Sequence, residues 1–195
     1  MLFNQTRSVF LLLIPLLVMS QGCRKHFTPK PRGYFRIDLP EKQYRMYRSD
    51  CPFSFEFPVY ASVVPDKDKD AEPCWLNIQF EQLHATIHLS YKQIRKNLPE
   101  LTEDARSFVY KHTIKADAIG ETQLTYPERK VYGILYDIEG NAASSVQFFL
   151  TDSTRHFIRG ALYFSTTPNA DSLGPVIRFI REDIIHLTST FQWLN

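Results

Sequence analysis

His84 and His88, with Glu81 nearby, are the residue types that could hold a divalent metal through imidazole and carboxylate ligands. They fall four apart in an alternating stretch and so project to one side. On a strand their backbones stand roughly 13 Å apart, too far for one ion without a bend. Polar residues on the solvent face of a hairpin explain them more simply. Asp66, Asp68 and Asp70 repeat the opening of a calcium-binding loop. Its sixth position requires glycine and its twelfth glutamate, whereas this chain has Ala71 and Asn77. Lys67 and Lys69 weaken the field further, so the stretch reads as a charge-balanced turn. Ser144, Ser145 and Ser153 lack the Gly-flanked elbow of a hydrolase nucleophile, and spacing assigns none of His112, His156 and His186 to them. The sequence thus implies no catalytic set, no metal and no cofactor.

The thiols are more informative. Cys23 ends a leader that carries one cation, Arg7, then an apolar run from Val9 to Met19, then Ser20, Gln21 and Gly22. Those features make residues 1–22 a secretory signal peptide. The run is roughly half of what a membrane-spanning helix needs, and Pro15 interrupts it. Gly22 directly before Cys23 fits the bacterial lipoprotein variant, in which the thiol takes an acyl chain such as palmitate and becomes the mature N-terminus. Ser20 and Gln21 depart from the usual pattern, and ordinary secretion is the alternative. Cys51 and Cys74 then remain as a pair in an oxidising compartment, which favours a disulfide over two buried thiols.

Removing the leader leaves about 170 residues, enough for one domain with a substantial core. The formal net charge of +2 gives no support to nucleic-acid binding, which shows as a concentrated basic surface. Residues 23–33 read as a lipid-anchored tether: four cations, two prolines and no acid after Cys23 cannot build a core. Residues 34–195 read as one globular domain. Phe53, Phe55 and Phe57 alternate with Ser54 and Glu56 as a strand does, and 75–91 reads as a hairpin. A helix with Thr102 at its N-cap presents Ala105, Phe108, Val109 and His112 on one face. Extended stretches follow near 118–126, 129–138, 143–151 and 155–165, with turns at Gly140-Asn141 and Asp152-Ser153. A terminal helix starting near Asp171 or Pro175 carries an apolar stripe from Leu173 to Leu187, opposite Arg178, Arg181, Glu182 and Asp183. Short connections force antiparallel neighbours, so the expected fold is α+β, a mostly antiparallel sheet covered by helices. Its element order loosely resembles PsbP/Mog1-like sandwiches.

Two features suit partner binding. Tyr34, Phe35 and Arg36, with Tyr44, Tyr47 and Arg48, mix aromatics and arginine as interfaces do. Arg159 beside Phe157, Tyr163 and Phe164 is the second, with core packing as its plainer explanation.

The stretches Pro31 to Pro40, Cys51 to Pro58, Lys111 to Asp117, Gly140 to Ser145, Phe148 to Ser153 and Arg159 to Phe164, following Cys23, carry a likeness. The chain resembles the gliding motility lipoproteins GldD of the Bacteroidetes. The resemblance implies a non-enzymatic, membrane-anchored component of gliding motility and its type IX secretion system. It also implies the multi-pass membrane protein GldE as a partner, and no catalytic residues. Arg24 and Lys25 replace the acids that mark surface export in that phylum, which implies the periplasmic side of a membrane. The competing expectation is a periplasmic enzyme or small-ligand binder with a cleft between sheet and helices.

Overall fold

A computed structural model describes residues 37–111, 115–166 and 170–194. These belong to one compact unit, Tyr34–Asn195. The leader, Cys23, the tether, Tyr34 to Arg36 and His112 lie outside the described residues.

Five strands come first: β1 (Tyr44–Tyr47), β2 (Phe53–Pro58), β3 (Ser62–Pro65), β4 (Leu76–Phe80) and β5 (Ala85–Gln93), with clear alternation in β2, β4 and β5. Helix α1 (Leu98–Tyr110) precedes β6 (Ala116–Tyr126), β7 (Val131–Gly140), β8 (Ser144–Thr151) and β9 (His156–Phe164). Helix α2 (Ala170–Thr190) and the short β10 (Gln192–Trp193) complete the described chain. Seven strands form one sheet in the order β3-β4-β5-β9-β8-β7-β6, and three form a second, β1-β2-β10. Every pairing is antiparallel, so the α+β expectation holds, with two sheets where the sequence suggested one.

The large sheet is covered on both faces. Val146, Phe148 and Leu150 of β8 share a core with Phe53, Phe55 and Phe57 and with Val176, Ile180, Ile184 and Leu187 of α2. On the other face Phe149 joins Ala105 and Val109 of α1, with Tyr136, Ile138 and Phe157. All eight β8 residues are buried. A strand covered on both sides loses its alternation, which explains the run Phe148-Phe149-Leu150. Each such side chain stabilises the fold by about 1.5–3 kcal/mol.

Two expected helix features shift. Asn97, not Thr102, occupies the N-cap of α1, and Leu101 N–H donates to Asn97 O at 3.0 Å. Pro99 is the reason: its fixed φ and missing N–H suit the first turn. Thr102 lies inside the helix, its hydroxyl returning to Leu98 O at 3.0 Å. In α2 the apolar stripe holds, but Asp183 is 2% exposed and faces inward rather than out.

Cys51 and Cys74 are disulfide-bonded, with 5.6 Å between their Cα atoms. The bond ties the segment entering β2 to the segment entering β4 and so links the two sheets. Closing that loop stabilises the fold by roughly 3 kcal/mol in the chain-entropy model. Reductant is therefore expected to lower the melting temperature and expose two further thiols. An unchanged melt and thiol count would refute the bond.

Candidate functional site

The chain enters the domain at Lys42 to Tyr47, and α2 receives it. The Asp183 carboxylate accepts from Lys42 Nζ at 2.7 Å, Tyr44 Oη at 2.9 Å and Tyr60 Oη at 2.7 Å. Lys42 also donates to Phe179 O at 2.7 Å, sits 3.9 Å above the Phe179 ring and pairs with Glu182 at 3.4 Å. Burial first, and then the hydrogen bond to Asp183, push both phenols far above their ordinary pKa. They act as fixed donors. Tyr44 also stacks on His186 at 3.6 Å, and His186 Nε2 meets Glu56 Oε2 at 2.6 Å. With three donors on one carboxylate, this cluster clamps the entering chain.

Of the expected contact residues, Tyr44 is thus turned onto α2, and Tyr47 stacks on Phe55 at 5.0 Å. Arg48 is exposed, as are Arg45 and Met46, the latter 40%. β1 is an edge strand of its sheet. Sequence reasoning missed Lys42, Tyr60 and Asp183. A signal for Asp183 existed: it lies three after Ile180 and four before Leu187, on the apolar stripe.

His84 and His88, expected on one strand face, do not share it. His84 leaves the strand for a left-handed turn at φ 49°, while His88 stays on β5. Among the described residues no three His, Cys, Asp or Glu side chains are placed to hold a metal. Asp66 and Asp68 cap their own loop, accepting from the N–H of Asp68 and Asp70 at 2.9 and 3.0 Å.

A cleft of about 480 Å³ opens between the 127–130 and 152–155 turns and β10, lined by Arg129, Lys130, Asp152, Arg155, His156 and Trp193 among others. His156 stacks on Trp193 at 5.2 Å, and its Nδ1 meets Tyr91 Oη at 2.8 Å. Burial lowers the His156 pKa, Arg155 adds to the fall and Asp152 opposes it. Burial pushes the Asp152 carboxyl up, but the N–H groups of His156, Arg155 and Thr154 and the Thr154 hydroxyl outweigh it and hold it below the usual range. That carboxylate is spent on its turn. Among the described residues, two apolar clusters pack between the large sheet and its covering elements.

No curated protein matches the sequence. The solution structure of cyanobacterial PsbP (CyanoP) from Synechocystis sp. PCC 6803 aligns with a TM-score of 0.47 and 11% identity, over 82% of this chain and 97% of that one. The profile described as gliding motility lipoprotein GldD matches residues 24–193. With nearly all of the domain inside that match, the chain belongs to the family of gliding motility lipoproteins GldD.

Proposed function

We propose that an acyl chain on Cys23 holds this protein at a membrane of the cell envelope, facing the periplasm. There it serves the gliding machinery and the type IX secretion system by protein–protein contact rather than catalysis. The observation that carries the reading is the family match, which begins at Arg24, one residue after Cys23. Among the described residues no helix is long and apolar enough to cross a membrane, and we assign the attachment to the lipid. The contact surface we assign is the exposed Arg45, Met46 and Arg48, and on the sequence alone Tyr34, Phe35 and Arg36, which lie outside the described residues. GldE is the first partner to test.

Replacing Cys23 with serine is expected to move the protein from the membrane to the soluble fraction and to abolish gliding. Wild-type protein that fractionates as freely soluble while gliding persists would overturn the reading. The cleft around His156 keeps an enzymatic or ligand-binding role testable. Loss of gliding in a His156→Gln variant, with fold and abundance intact, would favour that role over contact.

A further inference from the structure

Arg159 projects from β9 toward the α1 side of the large sheet. Its Nη2 donates to Gln147 Oε1 at 2.5 Å, and the Phe108 ring lies 4.6 Å from its guanidinium carbon. Among the described residues no carboxylate lies within ion-pair distance of it. Burial depresses its pKa, opposed only by Tyr163, and the guanidinium remains charged. Gln147 is 1% exposed, and its Nε2 has no acceptor. Across the register Ser90 stands opposite Arg159 and His88 opposite Ala161, so the neighbouring strand supplies no acid. The fork is met by two neutral oxygens, Gln147 Oε1 and the Tyr163 hydroxyl, so its charge has no balancing carboxylate among the described residues, and the buried Gln147 Nε2 donor beside it stays without an acceptor. A buried donor without an acceptor, beside a charge without a counter-charge, is costly to fold.

We propose that Arg159 and Gln147 form a receptor for the side-chain carboxylate of an acidic segment in a partner protein. The planar guanidinium matches a carboxylate in two-point geometry, and the Gln147 amide supplies a further donor. The surroundings favour a protein over a free ion. Phe108 is 44% and Tyr110 37% exposed, offering apolar contact that a small anion cannot use. Lys111 lies 4.6 Å from the Phe108 ring and adds positive charge at the entrance, whereas Arg106, 4.7 Å from the Tyr110 ring, is paired with Glu103 at 3.9 Å, and the Tyr110 hydroxyl donates to Glu121 at 3.0 Å. Aromatic side chains mixed with arginine are typical of contact surfaces. Phe108 lies over the guanidinium, so the proposal requires that ring to turn aside when the carboxylate binds. The proposal rests on the contact reading above and names the chemistry of the partner.

The test uses the mature chain with Cys23→Ser and an acetylated, amidated peptide of alternating Glu and Phe. Titration is followed by the ¹⁵N–¹H resonances of Arg159 Nε and Gln147 Nε2. Saturable shifts are expected with this peptide, and binding about tenfold or more weaker with its Gln-for-Glu counterpart and with acetate. The Arg159→Met/Gln147→Met double variant is expected to lose binding while melting at or above the parent temperature. Should it fail to fold, Arg159→Lys carries the test, with binding weakened about tenfold as the fork is lost. No shift, equal response to the Gln peptide, or binding that survives these substitutions overturns the proposal. Equally tight acetate binding overturns the protein ligand. None of these results bears on whether the anchored protein acts by contact, which crosslinking in cells decides separately.

Discussion

Replacing Asp183 with alanine is expected to destabilise the domain by about 3–5 kcal/mol, the range for removing one partner of a buried charged pair. The carboxylate is 2% exposed and takes the Lys42 ammonium and the Tyr44 and Tyr60 hydroxyls together. Without it, two phenols lose their acceptor at once, and the Lys42 ammonium keeps only Phe179 O and Glu182. At about 2–4 °C per kcal/mol for a domain of this size, the melting temperature falls by roughly 10 °C. Asp183→Asn retains one carbonyl acceptor and should lose less. Urea unfolding measures both. A loss below about 1 kcal/mol for alanine, the ordinary worth of one hydrogen bond, would show that the clamp contributes little.

Gly133→Ala is the second large effect. A Cβ built on Gly133 would lie 1.9 Å from Phe149 O and 2.9 Å from Phe149 C, inside the backbone of the neighbouring strand. Gly133 pairs with Leu150 in the β7–β8 register, and β8 is packed on both faces, so the strand has nowhere to retreat. Overpacking of this kind costs about 3 kcal/mol or more. Gly120→Ala is the control: its nearest new contact is Asp137 Cβ at 3.8 Å, and stability should stay close to wild type. An alanine at 133 tolerated as well as one at 120 would contradict the close approach of β7 to β8.

Local pattern carried most of the large sheet. Leu76, Ile78 and Phe80 alternate and form β4, and the four stretches after α1 lie within a few residues of β6 to β9. Turn chemistry was equally direct at Gly140, with φ +96°, and at Asp152, which caps the turn before β9. What failed depends on residues distant in sequence. β1 is four residues long and β10 two, too short for alternation to mean anything, and both exist only through pairing with β2. Hence the second sheet was invisible. Asp183 was read as solvated because of its type and its neighbours Arg181 and Glu182, although its spacing placed it on the core stripe. Of the entry cluster, Tyr44 and Tyr47 stood out as aromatics, but nothing in the sequence joined them to Tyr60 or α2. Arg159 stands out in the sequence beside Phe157 and Tyr163, but the Phe108 ring over it comes from α1, far away in the chain.

The pairing of β2 with β10 governs when this protein can finish folding. Phe53 waits for Trp193 and Ser54 for Gln192, while Leu194 N–H reaches back to Pro52 O at 2.9 Å. Early and late segments must meet, the kind of connection that makes maturation slow. During synthesis, or any passage delivering the chain N-terminus first, Phe53 and Phe55 stay without the Phe191 ring that stacks on them until the last residues emerge. A truncated or stalled chain would present sticky rings to its surroundings, and so depend on a chaperone's escort.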